Sequence, residues 1–375
     1  MKTVDRLDVY MGSRKVGTMA PYKKYMTVFE YSQEWLESGF SISPFSLPLT
    51  PEVKISKPDP FDGLFGIFAD SLPDGWGRLL VDRMLRQAGE KPEEIDSLTR
   101  LSIVGASGMG ALEYRPAQME TAVYANSDLD YLSEECRKLL TSKGSSDLDA
   151  LFSLGGSSGG ARPKVLIRLY GREWIVKFPS SEDPDDIGKQ EFDYNVCAMD
   201  CGIDVPDFKL FPSKKGPGYF GVERFDRVRN TSGKEKIHMA SASALLEISH
   251  RVPSLDYTSL MSLTWQLTKK SAELLKMYRL MCFNVFAHNR DDHSNNFSFL
   301  CRDGEWTLAP AYDLTYSNSI GGEHATTVAG EGKSPSVEHL LIVAKKAGIK
   351  ESQASEIVIE IQEKVREQLG KYLRR

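Results

Sequence analysis

The spacing of hydrophobic residues along the chain changes from a period of two to a helical period. Residues 7–11 and 16–19 alternate around a Gly-Ser-Arg-Lys turn, and residues 27–31 alternate as a third strand. Residues 64–88 then have helical spacing, interrupted at Leu72-Pro73-Asp74-Gly75, where Asp74 is expected to cap the second helix. A β-rich first domain is therefore predicted for residues 1–115.

The middle of the chain mixes strands and helices. Residues 116–146 are polar and acidic, with one predicted helix around residues 129–140, and are interpreted as a connector. Residues 147–240 contain a glycine-rich loop, a hairpin around Tyr170-Gly171-Arg172-Glu173, one helix and two further strands. This segment is predicted to form a small second domain of mixed structure.

Residues 241–375 are mostly helical in pattern and contain no internal repeat. A last amphipathic helix is predicted from Ile357, Ile361 and Val365. A strong apolar helical face leads into a polar loop near residue 290. Its members are Leu274, Leu275, Tyr278, Met281, Cys282, Val285 and Phe286.

Length and charge narrow the classes of protein. At 375 residues, two or three domains are expected. The net charge of −5 argues against nucleic-acid binding through overall positive charge, although a local basic patch or a DNA-binding partner stays open. The start of the sequence is not apolar, and no run is long enough to cross a bilayer, so a cytoplasmic location without membrane contact is expected.

The cysteines suggest core thiols. Cys197 and Cys201 stand one helical turn apart, but no matching Cys/His pair with zinc spacing is found elsewhere in the sequence. Reduced thiols fit a cytosolic compartment. The five cysteines are Cys136, Cys197, Cys201, Cys282 and Cys301.

The polar loop carries the residues most informative about chemistry. Asp291 is followed by Asn296 five residues later, and Asp313 follows after a predicted hairpin. This spacing is typical of phosphoryl transfer: the first carboxylate takes the proton of a hydroxyl, and the amide oxygen and second carboxylate hold Mg²⁺. A metal-hydrolase site built on His288, Asp291 and His293 is disfavoured, because no Glu general base lies between the histidines.

Further kinase-like features precede this loop. Lys177 ends an apolar strand, where an ammonium is costly unless it meets a phosphate or a carboxylate. Glu191 on the next helix can supply that carboxylate, with Glu182 and Asp193 as alternatives. Four glycines in the six positions 155–160 leave backbone N–H groups able to bind phosphates, although a flexible linker is an alternative.

With these motifs in view, the chain resembles the HipA-type serine/threonine kinases, the toxins of bacterial HipBA toxin–antitoxin modules. The strongest markers are Val222-Glu223-Arg224-Phe225-Asp226-Arg227, Asp291-x-His293-x-x-Asn296-Phe297-Ser298 and Pro310-Ala311-Tyr312-Asp313. Leu72-Pro73-Asp74-Gly75 and the segment from Val104-Gly105 to Gly110-Ala111-Leu112 are similar to that family's accessory domain.

The resemblance implies an α+β, bilobal protein-kinase-like fold with ATP between the lobes. Residues 1–115 would be the β-rich N-terminal accessory domain and 116–146 the connector. Residues 147–240 would be the nucleotide-binding N-lobe and 241–375 the helical catalytic C-lobe.

The same resemblance implies roles for individual residues. Asp291 would be the catalytic base, and Asn296 and Asp313 would bind Mg²⁺. Ser157, or its neighbour Ser158, would be autophosphorylated, which expels the loop and silences the enzyme. ATP would contact the loop residues Gly159, Gly160, Ala161, Arg162, Pro163 and Lys164, then Lys177, the hinge residues Glu223, Arg224 and Phe225, and finally His293, Ser294, Asn295, Asn296, Tyr312 and Asp313.

Alternatives stay open for some of these residues. His293 could equally brace the loop, Lys177 could extend to the surface, and Glu223-Arg224 could be an ion pair at a strand end. The chain departs from the family pattern at two places. Arg162-Pro163 replaces the Gln-acidic pair usual in this loop, and Pro163 would stiffen the loop. Asp292 replaces a glycine and would add negative charge beside the base.

The function implied is that of an ATP- and Mg²⁺-dependent protein serine/threonine kinase acting on translation, for example on an aminoacyl-tRNA synthetase. A HipB-like DNA-binding antitoxin is the expected partner, with DNA contacted only through it. A small-molecule kinase and a nucleotide-binding co-repressor without catalysis are the alternatives.

Overall fold

The computed structural model divides into two compact units. The first contains Met1–Gly188, Lys209–Ala240 and Arg302–Gly304, and the second contains Lys189–Phe208, Ser241–Cys301 and Glu305–Arg375. The structure describes residues 3–118, 128–141, 151, 154–155, 160–181, 183–230 and 233–374.

A five-stranded antiparallel sheet opens the first unit. Its order is β4-β3-β2-β1-β5, with β1 at Leu7–Met11, β2 at Arg14–Tyr22, β3 at Met26–Tyr31, β4 at Lys54–Ile55 and β5 at Leu112–Arg115. β1 pairs antiparallel with β2, which confirms the predicted hairpin. Alternate residues of β3 (Thr27, Phe29 and Tyr31) are buried, which confirms the predicted third strand. Helices lie at Gln33–Ser38, Gly66–Ala69, Gly75–Gln87 and Ser97–Val104, with a short 3₁₀ turn at Pro92–Glu94.

A second sheet follows in the same unit. Its order is β6-β7-β9-β8, with β6 at Lys164–Leu169, β7 at Arg172–Lys177, β8 at Phe208–Phe211 and β9 at Tyr219–Glu223. The predicted β6–β7 hairpin is confirmed, and Tyr170 and Gly171 form its turn with φ of 49° and 76°. Strands β10 at Arg227–Asn230 and β11 at Gly233–Lys236 pair antiparallel, and β12 spans His238–Ser241.

One apolar core joins these elements. The helix predicted around residues 129–140 forms at Leu129–Leu140 and packs with the Gly75–Gln87 helix and with one face of β6 and β7. Members of this core include Trp76, Leu80 and Met84, then Leu132, Cys136 and Leu139, then Val165, Trp174 and Val176. The segment interpreted as a connector therefore contributes to the core, while the predicted domain boundaries stay predictions.

The second unit is mainly helical. Its helices lie at Ile187–Asp200, Ala242–Leu246, Tyr257–Thr268, Ser271–Phe286, Val337–Lys346 and Glu351–Leu373. The Ser271–Phe286 helix buries five of the seven residues of the predicted apolar face, and Leu275 and Phe286 are partly exposed. The carboxylate of its buried Glu273 accepts the N–H of Leu308 at 2.7 Å.

Short strands complete this unit. β13 at Leu255–Asp256 runs parallel to β16 at Thr326–Thr327, and β14 at Ser298–Arg302 neighbours β15 at Glu305–Leu308 as the predicted hairpin. Short 3₁₀ turns lie at Ser294–Asn296 and Ile320–Gly322. All five cysteines are buried and unbridged, as expected of core thiols. Among the described residues, no helix has the length and apolarity needed to span a membrane.

Candidate active site

Two lysines lie directly opposite each other on the β6–β7 hairpin. Lys164 begins β6, Lys177 ends β7, and the two are cross-strand partners. Because Val165 and Val176 of the same strands enter the apolar core, the alternation of a strand puts both lysines on the other face. Like charges in this position repel each other. The pair is therefore suited to an anion that carries several negative charges, such as a triphosphate.

The segment before β6 is held by residues from the Leu72-Pro73-Asp74-Gly75 motif. The carboxylate of Asp74 accepts the backbone N–H of Gly160, whose φ is 83°. Asp74 stands at the predicted N-cap position of the Gly75–Gln87 helix, where its backbone carbonyl accepts the N–H of Arg78 at 3.3 Å, but its side chain makes no capping hydrogen bond. The predicted loop residues Ser157, Ser158 and Gly159 lie outside the described residues.

Arg162 and Pro163 fasten the other end of this segment. Arg162 forms an ion pair with Asp183 at 2.9 Å, and the carbonyl of Pro163 accepts the N–H of Phe178 at 2.8 Å. Although burial opposes it, hydrogen bonds from Ser180 and the charge of Arg162 hold the pKa of Asp183 below its ordinary value. Ala161, between Gly160 and Arg162, is exposed. These contacts hold Arg162 and Pro163 in place, while stiffening of the loop by Pro163 stays a prediction.

The predicted hinge is tied together by buried charges. Arg224 pairs with Asp226 at 2.8 Å and donates to the carbonyl of Gly108 at 3.0 Å, while Asp226 accepts the N–H of Gly110 at 2.7 Å. Burial opposes ionisation, but Arg224 and Arg227 still hold the pKa of Asp226 below its ordinary value.

Glu223 and Arg224 do not form an ion pair with each other, which was the alternative to a hinge role. Glu223 instead pairs with Arg172 at 2.7 Å. The backbone N–H of Arg224 donates to the backbone carbonyl of Glu173 of β7 at 2.8 Å, which positions the hinge beside the strand that carries Lys177. Contact of Glu223, Arg224 and Phe225 with adenine stays a prediction.

In the second unit, the polar loop presents one carboxylate to solvent. The side chain of Asp291 is 65% exposed. Asn296 closes the loop, because its side-chain nitrogen donates to the backbone carbonyl of Asp291 at 2.7 Å. This bond orients the carboxamide and places Asn296 beside Asp291.

His293 braces the same loop. Its Nδ1 accepts the N–H of Asn295 at 3.3 Å, which caps the 3₁₀ turn containing the buried Ser294. Its Nε2 lies 3.9 Å from a carboxylate oxygen of Asp291, and its ring lies 5.5 Å from the ring of His250. These contacts support the structural alternative for His293, while its contact with nucleotide stays a prediction.

The segment that carries Asp313 is bonded to this loop. Ser317 donates its N–H to the carbonyl of His288 at 3.0 Å, and Ala325 donates to the carbonyl of Arg290 at 3.0 Å. The hydroxyl of Tyr312 donates to the carbonyl of Asn295. Asp313 itself has φ of 55°, a left-handed conformation that is sparsely populated by non-glycine residues and common at functional sites. The structure thus brings the Asp291–Asn296 loop and the Tyr312–Asp313 segment together.

Asp292 has a different role from the one expected. Its carboxylate is fully buried and accepts from the hydroxyl of Tyr257 at 2.9 Å, from Nδ1 of His324 at 3.0 Å and from the N–H of Thr326 at 3.2 Å. Its side chain therefore points into the interior, and an effect of its negative charge on the base stays a prediction. Burial and the charge of Asp292 raise the pKa of Tyr257 well above its ordinary value.

Sequence reasoning did not find these partners of Asp292. A chain of amides extends the network, because Asn284 donates to the hydroxyl of Tyr257 at 3.0 Å and Asn289 donates to Asn284 at 2.9 Å. A buried Asn in the apolar Ser271–Phe286 helix was the one available signal, since buried amides require partners.

The oxygen donors of Asn296 and Asp313 fit Mg²⁺ that is bound together with substrate phosphates better than a metal ion bound by protein side chains alone. Asn296 and Asp313 offer hard oxygen donors, and Mg²⁺ is usually held by one or two carboxylates together with substrate phosphates. Among the described residues, no group of three or more His, Cys, Asp or Glu side chains is arranged to hold a metal ion.

The carboxylate partner of Lys177 stays a prediction. Glu191 is buried in the Ile187–Asp200 helix. The alternative Asp193 bonds to Lys371 at 2.9 Å and to Tyr372 at 2.8 Å within the second unit. Glu182 lies outside the described residues.

The architecture is the expected α+β class, with an N-terminal sheet domain and a helical C-terminal region. It is similar to a chain of the toxin–antitoxin complex of HipA, HipB and operator DNA from Shewanella oneidensis MR-1, with a TM-score of 0.71 and 17% identity. The match covers 98% of this chain and 90% of that chain. The fold is therefore HipA-like.

Family models make the assignment more specific. The model described as "HipA N-terminal domain" matches residues 7–115, and the "HipA-like C-terminal domain" matches residues 156–369. The chain therefore belongs to the HipA family. A Sinorhizobium fredii (strain NBRC 101917 / NGR234) protein named "Putative kinase Y4mE" is 27% identical over 345 residues, which cover 83% of this chain and 77% of that protein.

Proposed function

We propose that this protein is an ATP- and Mg²⁺-dependent protein serine/threonine kinase of the HipA type. The observation that carries the proposal is the bonding of the Asp291–Asn296 loop to the Tyr312–Asp313 segment. Membership in the HipA family and the similarity to a protein named as a kinase support it.

The exposed Asp291 is suited to act as the base. Its carboxylate accepts the proton of a serine or threonine hydroxyl while that oxygen forms a bond to the γ-phosphorus of ATP. The bond between the γ-phosphorus and the β–γ bridging oxygen breaks, and ADP leaves with the electron pair. Most of the rate enhancement comes from positioning and charge neutralisation.

The remaining site residues bind and orient the nucleotide. Lys164 and Lys177 neutralise phosphate charge, and the backbone of Gly160–Pro163 lies next to them. Asn296 and Asp313 hold Mg²⁺, which neutralises charge on the phosphates when bound. The backbone of the Glu223–Phe225 hinge contacts adenine.

Family membership also supports a substrate and a partner. The substrate proposed is a protein of translation, such as an aminoacyl-tRNA synthetase, and modification of Ser157 or Ser158 silences the enzyme. Because the similar solved structure is a complex of HipA, HipB and operator DNA, a HipB-like antitoxin is the proposed partner and brings it to DNA.

Labelled ATP tests the reaction. Wild type should transfer label to protein in a host lysate, and Asp291→Asn should bind ATP normally but lose transfer by about 10²–10⁴-fold. Asp303→Asn is the matched control, because Asp303 is an exposed turn residue between β14 and β15. Mass spectrometry after incubation with Mg-ATP should find phosphate on Ser157 or Ser158.

Each alternative has its own outcome. Full turnover by Asp291→Asn would refute the base assignment. Label on a sugar or antibiotic, with none on protein, would indicate a small-molecule kinase. Nucleotide binding without any transfer by wild type would indicate a co-repressor.

A further inference from the structure

We propose that the Asp74–Trp76 turn is a positioning element that holds the Gly160–Lys164 segment in its ATP-binding conformation. This inference rests on the proposed function, because it assigns ATP phosphates to that segment. It adds residues of the N-terminal sheet domain, 86 positions away in sequence, to the determinants of nucleotide affinity.

The carboxylate of Asp74 serves the loop instead of its own helix. A residue at an N-cap position ordinarily accepts from the amides of the first helical turn, but Asp74 makes no such bond. Its oxygen accepts the N–H of Gly160 instead. A hydrogen bond to an ionised acceptor is shorter and stronger than a neutral one, so this contact fixes the position of Gly160.

Gly75 lets the two backbones approach closely. Its φ is 41°, and a Cβ added to it would lie 2.4 Å from the carbonyl oxygen of Gly160 and 2.9 Å from Cα of Ala161. No real side chain fits at that separation. Any residue other than glycine would displace the loop or strain the turn.

Trp76 bonds to both ends of the segment. Its backbone N–H donates to the carbonyl of Gly160 at 2.9 Å, and its indole Nε1 donates to the carbonyl of Lys164 at 3.0 Å. The indole is buried in the apolar core of the first unit, so these donors come from a rigid element.

The Gly160–Lys164 segment positions the ammonium group of Lys164. A Cβ added to Gly160 would lie 2.5 Å from Nζ of Lys164, so the ammonium packs directly against the loop. Lys164 is also the cross-strand partner of Lys177. Loosening the turn should therefore weaken the phosphate site while leaving the chemistry of the Asp291 loop unchanged.

The test uses the intact 375-residue chain and two readouts. Asp74→Ala should raise the KM for ATP about tenfold, as expected for loss of one bond to a charged acceptor, with kcat at saturating ATP changed less than about twofold. Without nucleotide, hydrogen–deuterium exchange of the peptide containing Gly160 should become faster. Asp74→Asn keeps an oxygen acceptor and should stay within about threefold of wild type.

The control is Asp128→Ala. Asp128 caps the Leu129–Leu140 helix in the same unit, so its loss removes a helix cap without touching the loop. KM and loop exchange should match wild type in this variant.

The outcomes separate this inference from the proposed function. Unchanged loop exchange in Asp74→Ala, or faster exchange with an unchanged KM, would overturn the positioning role. An Asn variant as weak as the Ala variant would overturn the acceptor role. If wild type transfers no phosphate, the proposed kinase activity fails, and exchange together with ATP affinity by calorimetry still decides the role of Asp74.

Discussion

Adjacent aspartates at the start of the Asp291–Asn296 loop occupy opposite environments. Asp291 is mostly exposed, whereas Asp292 is buried with three donors around its carboxylate. The hydroxyl of Thr326 also donates to the backbone carbonyl of Asp292 at 2.5 Å. Asp292 therefore anchors the loop, while the carboxylate of Asp291 stays exposed to solvent.

Replacing these two aspartates should have different effects. Asp292→Ala leaves buried donors of Tyr257, His324 and Thr326 without their acceptor, so the free energy of unfolding should fall by about 3 kcal/mol. Asp291→Ala should change it by less than about 0.5 kcal/mol, as is usual for an exposed residue. Urea denaturation measures both. Equal stabilities would show that Asp292 does not anchor the loop.

A buried histidine in the first unit predicts a pH effect on stability. Burial lowers the pKa of His238 from 6.5 to about 4, although its bond to the carbonyl of Ile42 opposes the shift. The unfolded state binds a proton near pH 6.5 and the folded state does not, so stability falls as the pH drops from 6.5 to 4. The loss reaches about 3 kcal/mol.

A substitution isolates this contribution from other titrating groups. His238→Gln removes the titrating ring and keeps a donor for the carbonyl of Ile42. The difference in unfolding free energy between the two proteins should therefore change with pH between 6.5 and 4 and be constant above 7. A pH-independent difference would contradict the assignment.

At the scale of elements, the alternation of side chains along a strand lets the β6–β7 hairpin contribute to the apolar core on one face and carry two lysines on the other. One face contributes Val165, Trp174 and Val176 to the core, and the other carries Lys164 and Lys177. The cross-strand register makes the charges neighbours, which a helix or an irregular loop would not ensure.

This register predicts a binding effect that needs no catalysis. Inorganic tripolyphosphate should raise the melting temperature of wild type, and Lys164→Gln or Lys177→Gln should each remove about half or more of that shift, because each lysine supplies one of the two charges. Lys209→Gln is the control, since Lys209 is exposed on β8 of the same sheet. An unchanged shift in both test variants would argue against this pair as the phosphate site.

At the scale of the whole molecule, one apolar core of the first unit contains residues of the N-terminal domain and residues of the β6–β7 hairpin. Trp76 and Leu80 pack in the same cluster as Leu132 and Val176. The N-terminal family model ends at residue 115 and the C-terminal one begins at residue 156. Residues between these two limits, such as Leu132, belong to the same core as residues on either side.

Removing residues 1–115 should therefore unfold the rest of the first unit. Each large core side chain contributes about 2–5 kcal/mol, and losing several exceeds the 5–15 kcal/mol typical of a folded domain. Circular dichroism and solubility of the truncated protein would show this. In the untruncated chain, Leu80→Ala should lower the free energy of unfolding, and Arg78→Ala, at an exposed position of the same helix, should not. A soluble, cooperatively folded truncation would contradict the shared core.

The elements predicted from periodicity formed because their signals are local. The Leu129–Leu140 helix and the β6–β7 hairpin follow from the spacing of apolar residues and turn residues within a few positions. The spacing of Asp291, Asn296 and Asp313 likewise contains enough information to indicate phosphoryl transfer and, with the upstream motifs, the HipA family.

The partners of polar side chains were decided only by the tertiary structure. A carboxylate at an N-cap position can serve its own helix or a distant loop, and Asp74 bonds to Gly160 because packing of the Trp76 helix brings that amide within reach. Asp292 faces inward because Tyr257, His324 and Thr326 converge on it from distant parts of the chain. Periodicity reports which residues are buried, but a hydrogen bond depends on distances that only the folded chain sets.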